Sequence, residues 1–228
     1  MEKMPYRPEF EVRHSSVPAS LPHSSSAHEV TTDWRQSLPV MVGRQVVLRE
    51  LRASDAASLC ALLNTEEVAR FISPPPTTVE GFERFIAWTL RQRAAGTYAS
   101  FAVTVQGCDT AIGIFQIREM ERGFGTAEWG FAIGSSFWGT GVFRDSAELV
   151  LEFVFTTLGV HRLEARAAVM NERGIGALRK IGAVKEGILR KSLQRNGEFL
   201  DQALYAILDS DWSGSRSSMM VVKPVQMH

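Results

Sequence analysis

The sequence has few cysteines, no excess of charge of either sign and no long apolar run. Cys60 and Cys108 are its two cysteines, which is too few for a disulfide framework, so a reduced, cytoplasmic compartment is expected. Its 25 Lys and Arg balance its 25 Asp and Glu, so the net charge indicates neither a nucleic-acid partner nor an anionic membrane. No apolar run approaches the roughly 18 residues that span a bilayer, and the N-terminus lacks the apolar segment of a signal peptide.

Both ends of the chain are predicted to lie outside the folded domain. Residues 1–40 are rich in Pro and Ser and have little hydrophobic periodicity, which is typical of a flexible extension. Residues 213–228 begin with a Ser-rich run and are assigned to a C-terminal tail. The histidines of the extension are too scattered to indicate a metal site, so no metal is expected. One domain over residues 41–212 remains, and 45% hydrophobic residues in the chain are enough for one core.

The order of the periodic segments predicts a mixed α/β sheet flanked by helices. Strand patterns are expected at residues 46–51, 98–105, 111–119, 126–133, 162–169, 184–193 and 199–208. The last two segments form a predicted hairpin about Asn196-Gly197. Helical patterns follow Ser54-Asp55, a capping box at residues 77–80 and the glycine pair described next, and recur at residues 174–181.

Two glycines one residue apart, Gly139 and Gly141, stand between a predicted strand and a predicted helix. The apolar run at residues 129–133 precedes them, and Val150 and Val154 recur after them at helical spacing. This order places bare backbone N–H groups and the positive end of a helix dipole at one point, which suits a phosphate or pyrophosphate. Glycine also permits unusual φ/ψ and a close approach of the ligand, because it has no Cβ.

Two common nucleotide-binding motifs do not match this glycine pair. A P-loop carries Lys and then Ser or Thr directly after its second glycine, where Val142 and Phe143 stand. The dinucleotide fingerprint needs a third glycine at the position of Arg144. It also needs an acidic residue at the end of the next strand, whereas Glu164 lies near that strand's start. A glycine turn that binds no ligand is the alternative interpretation of these residues alone.

Four segments in a fixed order resemble a known family. They are Trp138-Gly139-Thr140-Gly141, residues 158–165 (LGVHRLEA), Asn171, and residues 181–187 (IGAVKEG). Together they resemble the GNAT superfamily of acetyl-CoA-dependent N-acetyltransferases, and most closely its RimJ/RimL-like branch of ribosomal-protein N-terminal acetyltransferases. The likeness runs from about Gly43 to Trp212. It implies the α/β (α+β) GNAT fold, a mixed, mostly antiparallel sheet of about seven strands flanked by about four helices.

The resemblance implies where coenzyme A lies. In that family the strand before the glycine loop splays from its neighbour and its backbone binds the pantetheine arm; here those residues are Phe131, Ala132 and Ile133. The pyrophosphate is then expected to meet the backbone N–H groups of Trp138, Gly139, Thr140, Gly141, Val142 and Phe143. Acetyl-CoA is therefore the expected cosubstrate.

Glu128 is the candidate catalytic residue. It lies three residues before Phe131, in an Ala-Glu-Trp-Gly-Phe run that resembles the family's Ala-Glu-aliphatic-Gly-aromatic pattern. A carboxylate there is a candidate general base for the amine, provided that partial burial raises its pKa toward neutrality. The alternatives are that Glu128 only orients the acceptor ammonium, or that it is a solvated or ion-paired strand residue.

Asn171 follows the predicted strand at residues 162–169, where the family has an asparagine whose amide reaches the pantetheine arm. It is equally suited to cap the helix that begins near Gly174. The sequence departs from the family pattern at Ser136, in place of Gln or Arg, and at Gly174, in place of a serine. No hydroxyl that protonates the departing thiolate is therefore evident. Its candidate substitutes are Tyr205 and Ser192.

The expected activity is transfer of an acetyl group from acetyl-CoA to a primary amine. Direct attack in a ternary complex is expected, because neither cysteine lies near the predicted thioester site. The acceptor is a protein α-amino group or a small molecule such as an amino acid, a polyamine or an aminoglycoside. An acyl-CoA-binding module without turnover is the alternative from another class, favoured by Ser136 and Gly174. No nucleic-acid or membrane partner is expected, and the chain is expected to be a monomer or a homodimer.

Overall fold

A computed structural model describes residues 33–195 and 197–212 of the chain. Within those residues eight strands form one sheet in the order β1-β2-β3-β4-β5-β6-β8-β7. The strands are β1 (Met41–Val42), β2 (Val46–Glu50), β3 (Tyr98–Val105), β4 (Cys108–Glu119), β5 (Thr126–Ile133), β6 (Arg162–Ala168), β7 (Val184–Arg195) and β8 (Glu198–Leu208). The α-helices are α1 (Ala56–Leu63), α2 (Glu66–Ala69), α3 (Val79–Ala94), α4 (Val142–Glu152) and α5 (Glu172–Lys180).

The predicted mixed sheet with flanking helices is confirmed. Seven strands coincide with the predicted segments, and the eighth, β1, has two residues and is too short to show a period. The four longer helices match the predicted four, whereas α2 is too short for its pattern to be read from the sequence. The predicted hairpin is formed by β7 and β8, although Asn196 in its turn lies outside the described residues.

The parallel contact between β5 and β6 shapes the centre of the sheet. Every other neighbouring pair of strands is antiparallel within the described residues. Parallel strands need a crossover connection, and α4 supplies it. The β5–β6 ladder contains the pairs Thr126↔Arg162, Ala127↔Leu163 and Glu128↔Glu164. It ends there, although β5 continues to Ile133 and β6 to Ala168, so the two strands separate at one end.

Hydrophobic side chains fill both sides of the sheet. Because successive strand residues point to opposite faces, Phe101 and Phe115 join the core that contains α4. Their neighbours Ala102 and Ile114 join a second core with α1 and α3. Truncation of a fully buried phenylalanine such as Phe101 costs about 3–5 kcal/mol, so this two-sided packing fixes the position of β4 and β5.

Asp55, directly before α1, is buried in an ion pair. Its carboxylate accepts two hydrogen bonds of 2.8 Å from Arg49 on β2 and one of 2.8 Å from the N–H of Arg52. Both charged side chains are about 95% buried, with exposed fractions of 5% and 4%. The hydrogen bonds that Arg49 donates to Asp55 and to Asp109, together with the charges of both carboxylates, raise the pKa of Arg49, so this guanidinium stays charged.

The folded part begins before the predicted boundary at residue 41. Trp34 and Leu38 are buried in the main core, and Trp34 packs edge-on against Phe124 with ring centroids 5.6 Å apart. At another boundary, the predicted strand at residues 162–169 ends one residue early, and Val169 is exposed. Residues 1–32 and 213–228 lie outside the described residues. No helix in the described ranges is long and apolar enough to cross a bilayer.

Candidate active site

The separated ends of β5 and β6 leave β5 backbone groups facing an opening. Just beyond the β4–β5 ladder, Gly134 N donates to Ile112 O at 2.9 Å. The N–H and C=O groups of successive antiparallel residues point alternately toward and away from the partner strand. Phe131 and Ile133 therefore direct their backbone groups away from β4, into the space that β6 leaves. The backbone of Ala132 faces β4 instead.

This opening is a cavity of about 510 Å³ that crosses the sheet. Its wall is built from β3 to β6, β7, β8 and α5, together with residues 71–73. Four of the predicted site residues line it: Glu128, Phe131, Ala132 and Asn171. Ile133 and the glycine loop (residues 138–143) do not line it and follow Phe131 and Ala132 in the chain.

The glycine loop has the backbone geometry that the sequence predicts. Gly139 has φ 77° and Gly141 has φ 92°, a left-handed region that is costly for residues with a Cβ. Gly141 is the N-cap of α4, whose first intrahelical bond runs from Asp145 N to Gly141 O at 3.1 Å. Within the described residues, the N–H groups of residues 139–143 donate no hydrogen bond. They are free to bind an anion at the start of the helix.

Trp138 differs from the rest of the predicted loop, because its donors are already engaged. Its backbone N–H donates to Ser135 O at 3.1 Å, and its indole Nε1 donates to Ile133 O at 2.8 Å. The guanidinium of Arg173, in the first turn of α5, lies over the Trp138 ring at 4.4 Å from the ring centroid. The indole thus ties the loop to β5 and holds a cation beside it.

The sequence analysis missed Asp145, which holds the glycine loop in place. This buried carboxylate in the first turn of α4 accepts hydrogen bonds from the N–H groups of Arg44 (3.1 Å), Gln45 (2.8 Å) and Val46 (3.2 Å). The Gln45 side chain also donates to Thr140 O at 3.3 Å. The start of β2 is therefore locked to the start of α4. An acidic residue within the apolar face of a predicted helix is the signal that points to such a contact.

Glu128 is a member of a network of ion pairs. It is 4% exposed, and its carboxylate bonds to Arg118, the opposite residue on β4. Arg166 Nε on β6 lies 3.5 Å from Glu128 Oε1, and its Nη2 lies 3.9 Å from Glu164. This arrangement agrees with the ion-pair alternative.

Asn171 caps α5, as one of its two predicted roles required. Its Oδ1 accepts a hydrogen bond of 2.9 Å from Gly174 N, and the residue lines the cavity. A Cβ at Gly174 would lie 2.5 Å from Asn171 Nδ2, so a serine there would require this amide to move. The observed position of the Asn171 amide thus depends on a glycine, and not a serine, at position 174.

The candidate hydroxyl groups are placed differently. Tyr205 is buried in the main core and does not line the cavity, so it is not available to a thiolate there. Ser192 lines the cavity, with its Oγ 3.0 Å from Leu189 O and 2.9 Å from Gln202 Oε1. Neither Cys60 nor Cys108 lines it. Among the described residues no group of three His, Cys, Asp or Glu side chains has the arrangement of metal ligands.

Comparisons with known proteins give one consistent result. Residues 45–184, more than half of the chain, match the family model described as "Acetyltransferase (GNAT) domain". The "Uncharacterized N-acetyltransferase p20" of Bacillus licheniformis is 25% identical over 75% of this chain and 96% of its own length. The "[Ribosomal protein uS5]-alanine N-acetyltransferase" of Escherichia coli is 27% identical over 46% of this chain and 55% of its own length. Mycobacterium smegmatis RimJ, solved with CoA-disulfide, has the same fold, with a TM-score of 0.67 at 20% identity over 78% of this chain and 94% of that one.

Proposed function

The chain belongs to the GNAT acetyltransferase family, and we propose that its cavity transfers an acetyl group from acetyl-CoA to a primary amine by direct attack. One observation carries the proposal. The β5–β6 ladder stops at Glu128↔Glu164, so the unpaired backbone of Phe131 and Ile133 lies between the cavity and the free N–H groups of the glycine loop. Coenzyme A would need both surfaces: the β5 backbone for its pantetheine arm and the glycine loop for its pyrophosphate.

The glycine loop would hold the pyrophosphate. The N–H groups of Gly139, Thr140, Gly141, Val142 and Phe143 sit at the positive end of α4, where an anion is stabilised. The nearby guanidinium of Arg173, held over Trp138, adds a positive charge on the same side. Asp145 is a negative charge in the same turn, but its oxygens are turned to the start of β2. The loop therefore presents donors to the ligand and keeps its own carboxylate away.

The pantetheine arm would lie along β5. Phe131 offers both backbone groups and Ile133 offers its N–H, since the Ile133 carbonyl already accepts from Trp138. Ala132 contributes wall surface, and Asn171 keeps a second amide atom, Nδ2, at the cavity wall. A backbone N–H near the thioester carbonyl stabilises the negative charge that develops on its oxygen during attack.

The reaction needs one bond made and one broken. The amine nitrogen forms a bond to the acetyl carbon, the carbon–sulfur bond breaks, and the electron pair leaves on the coenzyme A thiolate. The amine loses a proton to solvent or to a carboxylate, and the thiolate gains one. No acyl-enzyme is needed, because neither cysteine faces the cavity. On the cavity wall, Ser192 is the candidate hydroxyl for protonating the thiolate.

Glu128 would act on the acceptor side of the cavity. Its carboxylate is held by Arg118 and Arg166, so we assign it the role of orienting the acceptor ammonium and treat the general-base role as the alternative. The acceptor itself is an amine of a protein N-terminus or of a small molecule; a ribosomal protein is the acceptor named for one relative. A coenzyme-binding module without turnover is the competing function, because Gly174 leaves no hydroxyl beside Asn171.

Binding and turnover test the proposal separately. Acetyl-CoA at about a hundred times its Kd adds roughly 2.7 kcal/mol of stability, a shift of several degrees in the melting temperature. Gly139→Trp places a side chain where no heavy atom lies within 4 Å and should abolish the shift. Gly107→Trp is the matched control, since Gly107 has φ 81° and equally open space but lies in the β3–β4 turn. Release of free thiol with an amine panel then separates an enzyme from a binder, and no shift with any acyl-CoA would refute both.

A further inference from the structure

We propose that the acceptor carries an anionic oxygen group, most simply a carboxylate, within a few bonds of the amine that is acetylated. This inference rests on the proposed function and names the chemistry of its acceptor. It follows from charges and hydrogen-bond donors on one side of the cavity, which neither the family match nor the relatives specify.

Four residues form the floor of the acceptor side. Gln116 and Arg118 are two apart on β4 and share one face of the sheet, and their partners on β5 are Gly130 and Glu128. A Cβ on Gly130 would meet no heavy atom within 4 Å. The floor is therefore open at Gly130, with an amide beside it and a charged cluster two residues farther along.

The charges on the cavity wall do not cancel. Within the described residues the charged lining groups are Arg118, Arg166 and Glu128, two cations for one anion. The Arg118 side chain is 44% exposed, so much of its guanidinium remains open to a ligand. Glu164 behind Arg166 is paired with Arg162 at 2.9 Å, and it lies 3.9 Å from Arg166, so it offsets the excess positive charge only weakly.

Further donors point to the same kind of ligand. Gln116 Nε2 and Ser73 Oγ are buried atoms with no hydrogen-bond partner among the described residues. Both residues line the cavity, and Ser73 is 7% exposed. Buried donors without partners are costly, and the oxygens of a bound carboxylate would satisfy them.

Glu128 lies between the two arginines, Arg118 and Arg166. This arrangement fits an acceptor that has both an ammonium and a carboxylate. Gly130 and Glu128 are two residues apart on β5, a span of about 7 Å along a strand. Glu128 therefore lies about that far from the open floor at Gly130. The ammonium can then approach Glu128 while its carboxylate reaches Arg118 or Arg166, for which guanidinium geometry is well suited. A polyamine brings several positive charges to the same arginines and is disfavoured by like-charge contact.

Matched acceptor pairs test this directly. Acetylation of alanine is compared with alaninamide, and of the peptide Ala-Asp-Ala-Ala-amide with Ala-Asn-Ala-Ala-amide; spermidine is added as the cationic arm. We expect kcat/KM to be at least tenfold higher for the anionic member of one pair, and lowest for spermidine. At neutral pH alaninamide has the larger fraction of unprotonated amine, so a preference for alanine cannot come from a larger supply of free amine. The pair that shows the preference tells whether the carboxylate belongs to a free amino acid or to an acidic peptide.

Variants tie the preference to the arginines. Arg118→Gln should reduce the anionic-to-neutral ratio about tenfold, and Arg118→Lys, which keeps the charge, should retain more of it. Arg91→Gln is the control, because Arg91 is an exposed arginine in the last turn of α3 that does not line the cavity. Calorimetric binding of N-acetylalanine against N-acetylalaninamide gives the same comparison without turnover.

The possible results distinguish a wrong acceptor class from a wrong assignment of acetyl transfer. Equal or better use of neutral acceptors or of spermidine by the wild-type protein would overturn the acceptor class and leave acetyl transfer intact. Consumption of no amine, together with a clear acetyl-CoA melting shift, would overturn both in favour of a binding module. A preference for anionic acceptors that persists in Arg118→Gln and is lost in Arg166→Gln would assign the carboxylate to Arg166, and a preference that persists in both variants would overturn the assignment to this cluster.

Discussion

Glu128 and Glu164 face each other as the last pair of the parallel β5–β6 ladder, directly before the two strands separate. Two like charges at adjacent positions repel each other, and both side chains are largely buried, with exposed fractions of 5% and 13%. Three arginines compensate them: Arg118, Arg162 and Arg166. A cluster of charged groups therefore lies at the point where the two strands diverge.

Replacement of Glu128 by Gln tests whether this carboxylate orients the acceptor or takes its proton. If it orients the ammonium, KM for the amine rises about tenfold and kcat changes little, because the group acts equally in the ground and transition states. A general base would instead lower kcat by about 10² or more. Steady-state kinetics with saturating acetyl-CoA distinguish the two.

Glu164→Gln is the control for that experiment. It disturbs the same network but does not line the cavity, so it should lower stability without a change in KM. Glu128→Gln should cost about 1–3 kcal/mol in urea denaturation, because Arg118 loses its charge partner. Glu164→Gln should cost less, because Arg162 keeps Glu186 and Arg166 keeps Glu128. An equal rise of KM in the two variants would mean that the network acts through the position of β5 and not through Glu128 itself.

Replacement of Gly141 by Ala should destabilise the protein in two ways, through backbone strain and through a steric contact with Gln45. At φ 92° an alanine is strained by about 1–2 kcal/mol, and its Cβ would also lie 2.7 Å from Gln45 Nε2. Gly139→Ala has the strain alone, since open space surrounds that position. We therefore expect Gly141→Ala to be the more destabilising in thermal denaturation. In a Gln45→Ala background the two alanine variants should become equal, and a persistent difference would show that Gln45 is not the cause.

The sequence was sufficient where local geometry decides the structure. Strand alternation and helical spacing located the elements, the glycine pair indicated that unusual φ/ψ was permitted at Gly139 and Gly141, and one of the two roles expected of Asn171 was the helix cap that it forms with Gly174. Each of these depends on residues within a few positions of one another, and the preferences are properties of the local backbone.

The sequence was insufficient where a side chain acts on a distant segment. Asp145 binds backbone groups about 100 residues away, and nothing near Gln45 in the sequence indicates such a partner. Likewise Asp55 stands at a predicted helix start, and the sequence does not indicate that its carboxylate also binds the guanidinium of Arg49 on β2. The partners of Glu128 depend on strand register, because a shift of one residue would move Arg118 to the other face. Periodicity reports which face is buried but not which group it meets.

Replacement of Asp145 by Ala should weaken the attachment of the glycine loop to β2 and so weaken acetyl-CoA binding. The three N–H groups of residues 44–46 would lose their acceptor, and a charge near the positive end of α4 would be lost. We expect a loss of about 3 kcal/mol for Asp145→Ala and about half of that for Asp145→Asn, which keeps one acceptor oxygen. Both should raise the Kd for acetyl-CoA in calorimetry. Glu148→Gln, an exposed position on the same helix, should change stability by less than about 0.5 kcal/mol and leave the Kd unchanged.

The ion pair between Arg162 on β6 and Glu186 on β7 should make a small part of the stability depend on pH. The hydrogen bond from Arg162 (2.9 Å to Glu186 Oε1) lowers the pKa of Glu186 below its ordinary value of 4.5. A carboxylate whose pKa is lower in the folded state stabilises the protein fully above its unfolded value and loses that contribution as the pH falls through the folded one. Glu186 is 39% exposed, so screening by solvent limits the effect to below about 1 kcal/mol. Wild type should therefore melt slightly above Glu186→Gln at pH 7 and low salt, and the difference should shrink as the pH falls below 4.5 or in 1 M salt. A difference that persists under both conditions would assign the stabilisation to packing around β7 and not to the charge.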